Sequence, residues 1–325
     1  MASKTASRKT PGNPKAATAA PPRVGVIGLG IMGSAMAANL VKAGFEVYGC
    51  DPVAAARKGL QRAGGIPCDN ATEVARQCRH LVLSLPSVAA LEQVARELIA
   101  AKAKGLVAAE TSTLPETAKV QVRDTLAAAG ITLLDCPLSG TGAQARTRDL
   151  AVYASGDAKA IASMAAVFNG FARVRYDVGG FGNGIRMKLV ANLLVAIHNQ
   201  SAAEAILLGE RSGLDPAQVV QVVADGAGGS RMLQVRGPMM VERSWGQATM
   251  KVEVWQKDMR LIHEALLATD TAAPLFAACV PIYNAAMALG HAQDDTAAVY
   301  SVLEHMMGAG PGKAGARRAP KRRKA

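Results

Sequence analysis

One short stretch constrains this chain more than any other. An apolar run, Arg23-Val24-Gly25-Val26-Ile27, leads into Gly28-Leu29-Gly30-Ile31-Met32-Gly33 and on into a helical stretch from Ser34 to Lys42. A buried strand, a glycine turn and a helix in that order form the context a dinucleotide-binding loop requires. Gly28 permits the tight turn, Gly30 lets backbone approach a pyrophosphate, and Gly33 lets the helix pack close to the sheet. Leu29, Ile31 and Met32 fill the positions between them. The helix N-terminus that follows offers unpaired N–H groups and a partial positive charge to the phosphates. Phe45 to Cys50 reads as a second strand, and it ends at Asp51, 18 residues past Gly33. A carboxylate there accepts hydrogen bonds from ribose hydroxyls and repels a 2′-phosphate, which favours NAD. Arg57 and Lys58 lie close enough to leave NADP open. The plainer reading is a glycine turn followed by a helix-capping acid.

The alternation continues beyond the loop. Ala54–Arg62, Thr72–Arg79, Ala89–Lys102 and Pro115–Ala129 read as helices, and His80–Leu85, Leu106–Ala109 and Ile131–Leu134 as strands. Short links between them predict a doubly wound parallel sheet with helices on both faces, an α/β class of fold. Tyr153–Gly156 and Arg173–Tyr176 extend the pattern to about residue 178. Beyond Gly184 the periodicity is helical and strand signals vanish, which predicts an all-α second domain. The largely apolar segment from Val24 to Val41 is long enough to suggest a membrane span, but its four glycines read as strand, loop and helix.

Charge divides along the chain in an informative way. The formal net charge is +12. Residues 1–22 hold four cations and residues 308–325 hold seven, with no acid in either segment. The middle of the chain is therefore nearly neutral, and the basic character belongs to two Gly/Pro/Ala-rich tails that read as disordered. Five cysteines without C-x-x-C spacing point to a reducing compartment, the cytoplasm, and away from a disulfide framework or zinc site. The five histidines show no ligand spacing, so no metal is expected.

Four stretches together give the chain a family resemblance. They are Val26–Gly33 with its Met32 before the third glycine, Asp135-Cys136-Pro137-Leu138-Ser139-Gly140, Gly184-Ile185-Arg186-Met187-Lys188-Leu189-Val190-Ala191-Asn192, and Lys257-Asp258-Met259. The chain resembles the β-hydroxyacid dehydrogenases, the family of 3-hydroxyisobutyrate dehydrogenase and 2-hydroxy-3-oxopropionate reductase, from about Val24 to Met307. The resemblance implies an NAD-binding Rossmann-like domain over 23–182 and an all-helical substrate and dimerisation domain over 183–307, with the active site between them. It implies hydride exchange between NAD, or NADP, and a small hydroxy acid of the 3-hydroxyisobutyrate, tartronate semialdehyde or threonate class. By match to the motifs, Lys188 is the general acid/base, and Asn192, one helical turn later, orients substrate or lysine. Ser139, Gly140 and Thr141 form the substrate loop. Leu85, Pro86, Thr113 and Lys257 match positions lining the cofactor site. The Ala/Met-rich segment 185–235, with few charges, suggests a homodimer or homotetramer.

Elementary chemistry supports the lysine independently. Alcohol oxidation releases a hydride and a proton, and the proton needs a base within about 3 Å. A lysine serves only if burial and neighbouring positive charge lower its pKa from about 10.4.

The chain also departs from the family pattern. Thr141, Gln144 and Arg148 stand where glycine is common, Glu110 stands where aspartate is typical, and Thr113-Leu114-Pro115 is one residue tighter. Thr141 and Gln144 suggest a polar or polyhydroxylated acid. No Arg/Lys cluster adjoins Lys188 except Arg186, which argues against a sugar-phosphate substrate. The competing reading is a non-catalytic dinucleotide sensor, or a nucleic-acid-associated protein acting through the basic tails.

Overall fold

The computed structural model describes residues 21–308. The basic segments 1–22 and 308–325 thus lie outside the described residues, apart from Pro21, Pro22 and Gly308.

Strands and helices alternate from the first described strand. In order these are β1 (Arg23–Ile27), α1 (Ile31–Lys42), β2 (Glu46–Cys50), α2 (Ala54–Arg62), β3 (Ile66–Pro67), α3 (Ala71–Gln77), β4 (His80–Leu83), α4 (Val88–Ala100), β5 (Val107–Glu110), α5 (Glu116–Ala128) and β6 (Thr132–Asp135). The six strands form one parallel sheet in the order β3-β2-β1-β4-β5-β6. The strand period of two sends alternate side chains to opposite faces. Val24, Val26 and Val82 join Met36 and Leu40 of α1 in one core. Ile27, Leu81 and Leu83 join Leu91 and Leu98 of α4 and Leu126 of α5 in the other. Burial on both faces explains why these strands read as apolar runs.

The next elements depart from the expected parallel pattern. β7 (Leu138–Ser139), α6 (Gly142–Arg146), β8 (Ala151–Ala154), α7 (Ala158–Ser163), α8 (Ala165–Phe171) and β9 (Val174–Asp177) follow. β7, β8 and β9 form a separate three-stranded sheet in which β7 and β8 are antiparallel. The cause lies at Asp135, whose backbone exchanges hydrogen bonds with Ser155 at 2.9–3.0 Å. The returning chain thereby closes the edge beside β6 instead of adding a seventh parallel strand. Two-residue β7 is too short to show any period in sequence.

The remainder is helical: α9 (Asn183–Arg211), α10 (Pro216–Asp225), α11 (Arg231–Val241), α12 (Val252–Ala268), α13 (Pro274–Ala288) and α14 (Val299–Met306). α9 has 29 residues and is about 43 Å long at 1.5 Å per residue. Its later turns place Ala196, Ala203 and Ile206 in a core with Trp255, Phe276, Tyr283 and Tyr300. Among the described residues no helix is long and apolar enough to cross a membrane.

Candidate active site

The glycine loop is built as its spacing requires. Gly28 has φ +89°, and a Cβ there would lie 2.1 Å from the Ser84 carbonyl oxygen. A Cβ on Gly33 would lie 1.9 Å from the Gly28 carbonyl oxygen, so the first turn of α1 rests directly on the loop. Gly30 is different: no atom of the described residues lies within 4 Å of where its Cβ would be. No side chain caps α1 at Gly30. The loop therefore presents open backbone and a helix N-terminus to one side, a cradle that fits a pyrophosphate.

That cradle opens into a cavity of about 700 Å³. Gly28, Gly30, Ile31, Met32, Asp51, Leu85 and Pro86 all lie on its wall. Leu29 is buried behind the loop, where its N–H donates to Asp51 Oδ2 at 2.7 Å. Asp51 Oδ1 accepts from Val53 N–H at 2.8 Å. Asp51 thus ties β2 to the glycine loop while lining the cavity. Arg57 sits beside it and donates to the Asp51 and Pro52 carbonyl oxygens. Thr113 and Lys257 are off the wall. They meet each other instead, the Lys257 ammonium donating to the Thr113 carbonyl oxygen. Sequence reasoning missed Asn70, Thr249, Met250 and Lys251, which also line this cavity. The last three precede α12 in a loop without periodicity or a recognisable motif.

A second cavity of about 580 Å³ shares Gly140, Thr141 and Met250 with the first. Lys188 and Asn192 lie on its wall together with Ser139, Gly140 and Thr141. The five residues predicted for catalysis and substrate binding are therefore gathered in one place. The Lys188 amine makes no hydrogen bond or ion pair with any described residue. Burial pushes it below the ordinary lysine value; Asp258 opposes that shift and Lys257 adds to it. Asn192 donates to Asp258 Oδ2 at 2.8 Å. Trp255, 2% exposed, also lines the cavity, and its indole N–H has no acceptor among the described residues.

Two buried ion networks hold this geometry. Lys119, Glu110 and Asp135 have fully buried side chains, with the ammonium 2.6 Å from Glu110 and 2.7 Å from Asp135. Asp135 Oδ2 accepts from the Ile185 N–H at 2.8 Å, and the Ser155 hydroxyl accepts from the Gly184 N–H at 3.0 Å. Satisfied N–H groups in its first turn fix α9 just ahead of Lys188. Glu110, the departure from the family's aspartate, reaches Lys119 with its extra methylene. In the second network Asp295 accepts from Arg236 at 2.9 Å, from Thr249 N–H and hydroxyl at 2.8 Å, and from Met250 N–H at 3.0 Å. This carboxylate is held below the usual range: burial opposes its charge, but Arg236 and the backbone donors outweigh that. It pins the segment that closes both cavities. Asp295 also caps the 3₁₀ turn Thr296–Ala298.

The substrate-loop departures have local causes. Thr141 and Gln144 form a reciprocal cap on α6, with Thr141 Oγ1 accepting from Gln144 N–H and Gln144 Oε1 accepting from Thr141 N–H at 3.0 Å. The polar atoms that suggested a polyhydroxylated substrate are thus engaged with the protein. Arg148 has φ +60°, the left-handed conformation that makes glycine common there. Arg173 and Arg231, distant in sequence from Lys188, stand on the wall of its cavity. The sequence shows no such cluster, because Arg173, just ahead of β9, and Arg231, the first residue of α11, are brought together at Asp149 by the fold.

Known proteins resemble the chain over nearly all its described length. Residues 23–180 match the NAD binding domain of 6-phosphogluconate dehydrogenase, and residues 182–303 match the NAD-binding family of NADP-dependent 3-hydroxyisobutyrate dehydrogenase. L-threonate dehydrogenase of Cupriavidus necator is 30% identical over 284 residues, covering 86% of this chain and 95% of that protein. 2-Hydroxy-3-oxopropionate reductase of Escherichia coli is 28% identical, covering 87% and 98%. Among solved structures, 3-hydroxyisobutyrate dehydrogenase from Salmonella typhimurium superposes with a TM-score of 0.79 at 26% identity, covering 86% of this chain and 99% of that one. These relatives are named as dehydrogenases and reductases, which favours the enzymatic reading over the sensor.

Proposed function

The chain belongs to the β-hydroxyacid dehydrogenase family, a family of NAD(P)-dependent hydroxyacid dehydrogenases and semialdehyde reductases, and from that premise we propose that Lys188 is its general acid/base. One observation carries the reading. An amine of lowered pKa, without a partner among the described residues, lines a cavity that joins the dinucleotide cradle at Gly140, Thr141 and Met250.

The residues divide the work as follows. Gly28, Gly30 and Ile31 hold the pyrophosphate of a dinucleotide, Asp51 accepts from its adenosine ribose, and Leu85 and Pro86 flank its path toward the second cavity. A bound nicotinamide supplies the hydride acceptor for alcohol oxidation and the donor for carbonyl reduction. The neutral Lys188 amine takes the hydroxyl proton as the carbonyl forms, and in the reverse direction its ammonium returns that proton to the nascent alkoxide. The Ser139 hydroxyl and the backbone of Gly140 and Thr141 hold the substrate carboxylate. Asn192, fixed by Asp258, orients substrate beside the lysine. The substrate is a small hydroxy acid or its semialdehyde, and Asp51 sets a preference for NAD. Met187, Val190 and Leu194 form an exposed apolar stripe along α9, suited to contact between copies in a homodimer or homotetramer.

The test compares wild type with Lys188→Ala on a panel of hydroxy acids, following NADH at 340 nm, with dinucleotide binding measured by calorimetry. The expected loss in kcat/KM is roughly 10²–10⁴ with dinucleotide affinity retained. A variant that keeps more than a tenth of wild-type turnover removes Lys188 from the reaction.

A further inference from the structure

The wall of the substrate cavity carries more positive charge than a single carboxylate substrate requires. Besides Lys188 it presents Arg173, Arg231 and Arg236. Arg236 is buried and neutralised by Asp295 at 2.9 Å. Arg173 and Arg231 share one counter-charge. Arg173 Nε donates to Asp149 Oδ1 at 2.9 Å, and an Arg231 terminal nitrogen donates to Asp149 Oδ2 at 3.2 Å. Gln144 donates to the same Oδ2 at 3.0 Å, so the carboxylate is held from three sides. The Gln144 and Arg173 hydrogen bonds keep Asp149 below the ordinary carboxylate range, and it is therefore ionised at neutral pH. The cluster carries a net positive charge. Among the described residues Arg173 and Arg231 keep most of their N–H donors unengaged, and their side chains are 64% and 60% exposed.

The cavity is also long. Lys188, Ala191, Asn192, Val195 and His198 of α9 all lie on its wall. At 1.5 Å per residue that stripe spans about 15 Å, more than the reacting end of a hydroxy acid occupies.

We propose that Arg173 and Arg231 form a second anion subsite, so that the preferred substrate is a hydroxy acid bearing a further carboxylate or phosphate away from its reacting carbon. The inference rests on the hydroxyacid reading above and narrows its substrate class. Guanidinium groups suit this task because their planar donors match carboxylate and phosphate oxygens in pairs. Asp149 acts as a placeholder that orients both arginines and offsets only one of them.

The experiment compares substrates with the same reacting end. 3-Hydroxyisobutyrate is set against 2-(hydroxymethyl)succinate, 2-(hydroxymethyl)glutarate and 3-hydroxy-2-(phosphooxymethyl)propionate. Expected is a kcat/KM at least about tenfold higher for one of the dianions, the carboxylate or phosphate arm identifying the group preferred. Arg231→Gln and Arg173→Gln each lower that value about tenfold through KM and leave 3-hydroxyisobutyrate within twofold. Asp149→Asn, which releases both cations, raises dianion affinity instead. If the ion pairs served only to stiffen the fold, all three variants would act in the same direction and on every substrate. Equal or better turnover of the monoanion by wild type overturns the subsite, while its Lys188-dependent chemistry would leave the proposed reaction standing. If no hydroxy acid reacts, the reaction fails, and calorimetric titration of the NAD-loaded protein with glutarate and butyrate decides the subsite. Tighter glutarate binding that Arg231→Gln abolishes supports it, and equal binding of the two overturns it.

Discussion

Asn192 on α9 donates a 2.8 Å hydrogen bond to Asp258 on α12, and both side chains are buried. One helical turn separates Asn192 from Lys188, so this bond fixes the turn that aims the amine. Asp258 also acts on the amine electrostatically. Burial lowers the Lys188 pKa, Asp258 raises it, and Lys257 lowers it further. Replacing Asp258 with Asn keeps a hydrogen-bonding side chain but removes the charge that holds the proton on Lys188. The neutral, basic form of the lysine then persists to lower pH. The pH profile of kcat/KM for alcohol oxidation, which rises as the amine deprotonates, should move toward acid. A profile that stays in place, or moves toward alkali, contradicts the assignment of that limb to Lys188.

The two glycines flanking Ile31 and Met32 should respond differently to alanine. Gly30 has open space where a Cβ would go, whereas the Gly33 Cβ would meet backbone at 1.9 Å. Gly30→Ala should leave the melting temperature within a degree or two and weaken dinucleotide binding at least about tenfold, because only the ligand approaches there. Gly33→Ala should lower the melting temperature as well, because α1 must shift off the loop. Calorimetry and thermal denaturation on the same samples separate the two effects.

These contrasts show which parts of the site could be read in advance. The glycine loop and the Lys188–Asn192 pair were legible because each is local, one a strand–turn–helix spacing and the other a single helical turn. Arg173 and Arg231 were not, since they lie 58 residues apart and meet only through Asp149. Asp295 caps a short helical turn next to it in sequence, yet it also anchors Thr249 and Met250, nearly fifty residues earlier. Thr141 and Gln144 carried the right polarity for a substrate loop, yet their polar atoms close on each other. Polarity is visible in sequence; whether a hydrogen bond is already used is a property of the fold.

We propose that Asp51 favours NAD over NADP. Its carboxylate lies on the cavity wall, and Arg57 is held beside it by the Asp51 and Pro52 carbonyl oxygens. Asp51→Asn removes a negative charge from the place a 2′-phosphate would occupy and keeps an acceptor for the Leu29 N–H. The ratio of kcat/KM for NADP over NAD should rise at least about fivefold, the factor matching the ~1 kcal/mol between two charges 4 Å apart in water. Initial rates with the two dinucleotides at fixed substrate measure it. An unchanged ratio means that Asp51 serves only to tie β2 to the loop.

Lys119 is the cation on which the start of α9 depends. Burial opposes its charge, but Glu110 and Asp135 outweigh that cost and hold the ammonium above its ordinary value. A group with its folded pKa raised contributes stability below its unfolded value and loses it as pH climbs through the folded one. The lysine's contribution is therefore intact at neutral pH and is lost as pH rises above about 10.4. Lys119→Met leaves two carboxylates without their cation in a closed interior, which typically costs about 3–5 kcal/mol. Since Asp135 also receives the Ile185 N–H, the damage should reach the first turn of α9. Hydrogen exchange should then show the amides of residues 184–188 losing protection before those of β1 and β4. A variant as stable as wild type, with α9 equally protected, would mean that the helix is held by its apolar packing alone.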